Sequence, residues 1–332
     1  MSFLSDKIEE WDLGLGEPIE NDSFSLIAKK IEFLESFAFH QFVPALNPEH
    51  SEFEYRLEDW LQNVHDETSR KLLFEFVPRI QFFSREDFAK LFQVAFDEVI
   101  SSWLIEIRAL DFSSPTFQDE LQAEAHLRTW YCPLTDSMNI SDFHHVNAIG
   151  GIDHRPDWRS LAQLGDVNKI QQYLTAKDLR QIVILEDFVG SGVQMSSAIS
   201  FIKLVSKLVP VLFIPLIVCP VGATAGRKLN SPPDVKFHPI IELSPADLIT
   251  RTRLRDSTIP GQIADICDAT WAQVCGNGAA NPRPYDPFGF PRSNGTGSLV
   301  VMYSNSPANT LPIIQHSSDQ WSALFPRSAR IK

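Results

Sequence analysis

Apolar positions recur every three to four residues through the first third of the chain. In Ser25-Leu-Ile-Ala-Lys-Lys-Ile-Glu-Phe-Leu-Glu-Ser-Phe-Ala-Phe39, the residues Leu26, Ile27, Ile31, Phe33, Leu34 and Phe37 keep helical spacing. Ser84, with Asp87 three positions on, forms a capping signal ahead of Phe88-Ala-Lys-Leu-Phe-Gln-Val-Ala-Phe96. The region from about Asp22 to Ile107 therefore reads as helical. Its many phenylalanines (Phe74, Phe76, Phe82, Phe83, Phe88, Phe92 and Phe96) read as core. From about Arg128 the texture changes to short apolar runs separated by turns. Thr129–Pro133, Gln181–Leu185, Pro210–Val218, Val235–Leu243 and Leu299–Tyr303 are candidate strands. Amphipathic segments sit between several of them, notably Asp166–Leu179, Val193–Leu208 and Ile259–Val274. Buried strands alternating with helices predict an α/β fold with a mostly parallel, twisted sheet covered on both faces. The expected division is an acidic α-helical region over 1–126 and an α/β domain over 127–332.

Charge sharpens that division. Met1 to His126 carries 26 Asp and Glu against 10 Lys and Arg, a net of −16, whereas the remainder carries 16 against 19, a net of +3. An acidic surface repels nucleic-acid phosphates, which argues against direct DNA or RNA binding by the first part. It suits either a protein partner or a merely solvated helical surface. The near-neutral second part can hold a small anion through backbone dipoles and a few basic residues. The opening segment Met1-Ser-Phe-Leu-Ser-Asp-Lys-Ile-Glu-Glu10 lacks the basic start and apolar core of a signal peptide. The longest apolar run, Leu208 to Val218, contains two prolines and is too short to span a bilayer. Cys132, Cys219, Cys267 and Cys275 have neither metal-ligand nor disulfide-framework spacing. A cytoplasmic protein with reduced thiols is expected.

In a parallel sheet, ligands bind beyond the carboxyl ends of the strands. That rule selects the loops after Pro133, Leu185 and Tyr303. The second is the most informative: Ile182-Val-Ile-Leu185 is apolar, Glu186 and Asp187 are paired acids, and Gly190-Ser-Gly192 opens a helix. Carboxylates held at a strand end can accept hydrogen bonds from vicinal hydroxyls. Small residues beyond them let backbone N–H groups close on a phosphate at the helix N-terminus. A sugar with two hydroxyls and a 5′-phosphate matches both ends. A Walker A loop is excluded because no Lys-Ser/Thr follows Gly192. The Rossmann fingerprint fails because the acids precede the glycines. After the first strand, Thr135, Asp136 and Ser137 read either as a loop for pyrophosphate oxygens or Mg²⁺-bound water, or as a capped turn. No Lys or Arg lies between Pro133 and His154, and Arg155 and Arg159 follow. His126, His144 and His145 have no carboxylate or Cys at ligand spacing and read as packed or exposed histidines.

The acidic–glycine segment resembles the phosphoribosyl pyrophosphate motif of type I phosphoribosyltransferases. The resemblance implies that Glu186 and Asp187 address the ribose hydroxyls. It also implies that Val189, Gly190, Ser191, Gly192 and Val193, with Gln194 after them, wrap the 5′-phosphate, and that Mg²⁺ accompanies the substrate. Gly190 stands where purine-salvage members carry an acidic base, and Gln194 where a Thr is usual, which argues against salvage of hypoxanthine or guanine. Together with Thr135-Asp-Ser-Met138 and the segment Gly297 to Ile314 followed by Trp321-Ser-Ala-Leu-Phe-Pro326, the loop is similar to a divergent bacterial branch, the PRTase-CE family. That branch is associated with prokaryotic conflict systems, including retron-type anti-phage loci. The resemblance implies an effector acting on a phosphoribosyl compound or nucleotide at ribose C1′, with a retron reverse transcriptase complex as partner. The alternatives it leaves open are a non-catalytic nucleotide sensor and an interaction subunit.

Overall fold

The computed structural model describes residues 3–14, 23–44, 52–135, 137–150, 167–192, 195, 202–230, 234–276, 286–290 and 295–328. The chain forms two compact units, one made of residues 1–85 with 245–332, the other of residues 86–244. Position 126/127 lies inside the second unit.

The first unit opens with helices α1 (Phe3–Leu13), α2 (Phe24–Phe37), α3 (Phe53–Gln62) and α4 (Glu67–Phe76). Their starts follow from side-chain caps: Ser23 accepts from the Leu26 amide at 3.2 Å, and Asp66 from the Ser69 amide at 2.7 Å. The apolar faces bury Trp11, Phe24, Phe53, Trp60 and Phe74 in one core. A short strand β1 (Gln81–Phe83) interrupts what the sequence pattern reads as continuous helix. The same core takes Ile263, Val301, Ile313, Trp321 and Phe325 from the far end of the chain, so the C-terminal segment belongs with the N-terminal helices.

The second unit begins with α5 (Arg85–Val94), which passes through a π-helical turn at Ala95–Ile100 into α6 (Ser101–Arg108). Helix α7 (Phe117–Leu127) leads into β2 (Thr129–Pro133), then α8 (Ile140–Val146) and α9 (Val167–Ala176). Strands β3 (Gln181–Val189) and β4 (Val211–Val218) are buried along their whole lengths, as apolar runs covered on both faces must be. Helix α10 (Pro220–Arg227) and strands β5 (Val235–Phe237) and β6 (Ile241–Glu242) complete the unit. The order is β2-β3-β4-β5, with β6 also on β4, and every pairing is parallel. The run Val235–Leu243, expected as one strand, divides into β5 and β6 around Pro239, which has no N–H to offer the ladder.

The first unit is completed by α11 (Ile259–Ala269), α12 (Trp271–Cys275), β7 (Val300–Met302) and α13 (Pro312–Gln315). Strand β7, expected in the main sheet, pairs instead with β1 in a separate two-stranded parallel sheet, Gln81 opposite Val300.

Candidate functional site

Strand β3 continues beyond the apolar run that ends at Leu185, carrying Glu186 and Asp187 in its final stretch before Phe188 and Val189. There it still pairs with β4, Glu186 opposite Pro215, but β2 has ended with Pro133 opposite Leu185. The chain leaving β2 bends across the acids. The Leu134 amide donates to the Leu185 carbonyl at 2.8 Å, and Thr135 then gives both its amide (3.0 Å) and its hydroxyl (2.7 Å) to Glu186. The Thr135 and Ser137 hydroxyl oxygens lie 2.6 Å apart. Ser137 donates to Asp187 Oδ1 at 3.1 Å, and the Phe188 amide donates to the same oxygen at 2.7 Å. Glu186 is 3% exposed and Asp187 5%. Burying carboxylates is costly unless donors replace water, and these hydrogen bonds to charged groups do so. The structure thus brings together Glu186, Asp187, Thr135 and Ser137. Asp136, Val193 and Gln194 lie outside the described residues, as do Arg155 and Arg159.

Val189 is buried at the end of β3, and the chain turns outward through the partly exposed Ser191 and Gly192. Gly192 has φ +77°, a left-handed conformation natural only to glycine. The turn is braced from behind by α10, a contact that sequence reasoning missed. The Cys219 amide donates to the Val189 carbonyl at 2.9 Å. One turn on, a Cβ at Gly222 would fall 2.5 Å from the Gly190 carbonyl oxygen and 2.8 Å from Val189 Cγ1. The available signal was the run of small residues Gly222-Ala-Thr-Ala-Gly226 directly after a buried strand. Gly222→Val should therefore push the glycine turn out of place, speeding amide hydrogen exchange at Gly190 to Gly192 while circular dichroism stays near that of the parent. Unchanged exchange would mean that α10 does not set the turn.

Three of the basic residues near the sheet serve its other end. Buried Glu124 on α7 holds Arg128 at 2.6 Å, Arg108 at 3.4 Å and Arg180 at 3.5 Å, beside the first residues of β2 and β3. His144 is buried against the Tyr131 ring, 5.7 Å between centroids. His126 lies against Phe96, its pKa lowered by burial. Among the described residues no three His, Cys, Asp or Glu side chains gather as metal ligands.

The loop after Tyr303, selected by the strand-end rule, is a correction to that expectation because β7 lies in the other sheet. Two of its polar side chains are committed to backbone partners: Asn309 Nδ2 donates to the Phe290 carbonyl at 2.8 Å and Ser306 Oγ to the Phe325 carbonyl at 2.9 Å, while the Asn309 carbonyl accepts from Thr296 Oγ1, ahead of β7, at 3.0 Å. Asn309→Ala is expected to lower stability by about 0.5–1.5 kcal/mol, because the part-buried Phe290 carbonyl loses the Asn309 donor. Unchanged stability in urea would show that this bond does not hold the loop.

A fully parallel sheet, an acid pair on its central strand and a glycine turn at the carboxyl end define a phosphoribosyltransferase-like α/β protein. The sequence profile of the PRTase-CE family matches residues 57–327, and the chain belongs to that family. The matched stretch takes in most of both compact units. No curated protein and no solved structure matches the chain.

Proposed function

We propose that the protein binds a phosphoribosyl compound or nucleotide, with Mg²⁺, and acts at ribose C1′ as an effector of a bacterial anti-phage system of the retron type. The observation that carries this reading is the placement of Glu186 and Asp187 on the central strand, three residues before the Gly190–Gly192 turn, in a PRTase-CE chain. Glu186 and Asp187 would hold the ribose hydroxyls, and the backbone from Val189 to Val193 with Gln194 would receive the 5′-phosphate. Both acids are also the candidates for stabilising positive charge as the C1′–oxygen bond breaks and its electron pair leaves with the pyrophosphate. Mg²⁺, when bound, neutralises charge on that leaving group. With no cluster of metal-ligating side chains among the described residues, it would be held chiefly by the ligand's own phosphates.

Calorimetry with phosphoribosyl pyrophosphate, nucleotides and NAD, with and without Mg²⁺, tests the reading. Charged hydrogen bonds contribute roughly 1.5–3 kcal/mol each, so Glu186→Ala/Asp187→Ala should weaken binding at least tenfold. Equal affinity in the double variant would remove the pocket assignment.

The lack of Lys and Arg between Pro133 and His154 favours one second reading, a nucleotide sensor that uses the same pocket without catalysis. Turnover of a bound ligand separates the two. An interaction subunit with a vestigial loop would bind none of these ligands.

For the partner, the reading is a basic protein of a reverse transcriptase complex docking on the acidic helices. Leu26, Phe33 and Phe37 are exposed along one stripe of α2, with the Phe33 and Phe37 rings 5.2 Å apart. Exposed apolar stripes on charged surfaces mark protein contacts. No helix among the described residues is long and apolar enough to cross a membrane.

A further inference from the structure

We infer that the hydroxyls of Thr135 and Ser137 act as an internal stand-in for the vicinal diol of a ribose, so that a ligand must displace them to reach Glu186 and Asp187. This rests on the reading of the acid pair as the ribose site.

Three features carry the inference. First, the two hydroxyl oxygens are 2.6 Å apart, close to the separation of neighbouring oxygens in a cis-diol. Second, they divide between the two acids as a diol would: Thr135 Oγ1 donates to Glu186 Oε1 at 2.7 Å and Ser137 Oγ to Asp187 Oδ1 at 3.1 Å. Third, the acids are almost fully buried while Thr135 and Ser137 remain partly exposed. The residues that carry the hydroxyl pair therefore reach solvent where the carboxylates do not. A ribose diol entering from solvent would exchange one pair of O–H donors for another. A ligand with a single hydroxyl would replace only one of the two O–H donors, a loss that polar sites discriminate against. The loop thus raises selectivity for ribo-configured ligands and lowers apparent affinity by the fraction of time it holds the acids.

The direction of the effect makes the test decisive, because a loop that merely supports the site would lose affinity when cut back. Binding of phosphoribosyl pyrophosphate with Mg²⁺ is measured by calorimetry for the full-length parent, for Thr135→Val/Ser137→Ala, and for Ser137→Ala alone should the double variant fail to fold. Removing the competing donors should tighten binding several-fold, up to about tenfold. Thr135→Ser, which keeps the hydroxyl, should return affinity to the parent value. Tighter binding by the hydroxyl-free variants, including binding where the parent shows none, supports the stand-in. If the parent binds, Glu186→Ala/Asp187→Ala abolishes that binding, and the hydroxyl-free variants bind equally or more weakly, the stand-in is wrong although the ribose site stands. If neither parent nor variants bind, both fall together.

Discussion

A chain that begins at residue 122 is expected to lose the parallel sheet along with the helices. The cut removes α5, the π-helical turn, α6 and part of α7, all of which belong to the unit that holds the acid pair. Phe92, Ile100, Trp103 and Leu104 are buried there. Phe92 meets Phe143 edge-on at 5.8 Å, and its carbonyl accepts from Asn147 Nδ2 at 3.3 Å. Arg108 reaches the Arg180 carbonyl at 2.7 Å, tying α6 to the start of β3. Burial of each large apolar side chain contributes about 1.5–3 kcal/mol. Losing four of them consumes much or all of a typical domain stability of about 5–15 kcal/mol. A chain covering 86–244 keeps every one of these contacts. Urea unfolding followed by circular dichroism should therefore show a cooperative transition for 86–244 and none for 122–332. A cooperative transition in the 122–332 chain would show that the helices are dispensable to the sheet. The partner proposal is accordingly better tested by surface changes than by truncation. Phe33→Glu/Phe37→Glu on α2 should abolish partner binding and leave ligand affinity unchanged.

What could be read in advance follows from how far each interaction reaches along the chain. Strands β2, β3 and β4 were legible because strands buried on both faces are mostly apolar, and their runs break visibly at Pro133, at Glu186 and at Cys219; the continuation of β3 through the buried acids to Val189 was not legible. The acid pair was legible for the same reason: two carboxylates ending an apolar run and followed by glycines are conspicuous without any knowledge of their neighbours. Strand β1 was not legible. It is three residues long, within an aromatic-rich stretch, and its pairing depends on Val300 to Met302, which no local pattern announces. The hydroxyl contacts of Thr135 and Ser137 with residues fifty positions away belong to this class, as does the approach of Gly222 to Gly190. The charge contrast between the first 126 residues and the remainder does not coincide with the two compact units, because charge follows surface, whereas compact units follow buried contacts.

Within the first unit a separate set of long-range contacts meets at Trp60, and Trp60→Ala is expected to destabilise that unit by about 3–5 kcal/mol, the usual range for removing a buried Trp. The ring is fully buried on α3, and its Nε1 donates to the Ile313 carbonyl at 2.6 Å. The Trp321 indole donates to that same oxygen at 3.0 Å. Around them, Arg56 Nε reaches the Leu324 carbonyl at 3.0 Å, and Asn63 exchanges bonds of 2.8 and 2.9 Å with the backbone of Ser322. One helix thus holds the C-terminal segment through a shared carbonyl and a set of flanking backbone bonds. Trp60→Phe separates the two contributions of the indole. It keeps most of the apolar area and removes one donor, but Ile313 retains Trp321, so the loss should be only about 0.5–1.5 kcal/mol beyond any small packing change. Urea unfolding monitored by tryptophan fluorescence measures both. If Trp60→Ala proves as stable as the parent, the C-terminal segment is not held by α3. Fragments 1–85 and 245–332 would then not be expected to associate when mixed.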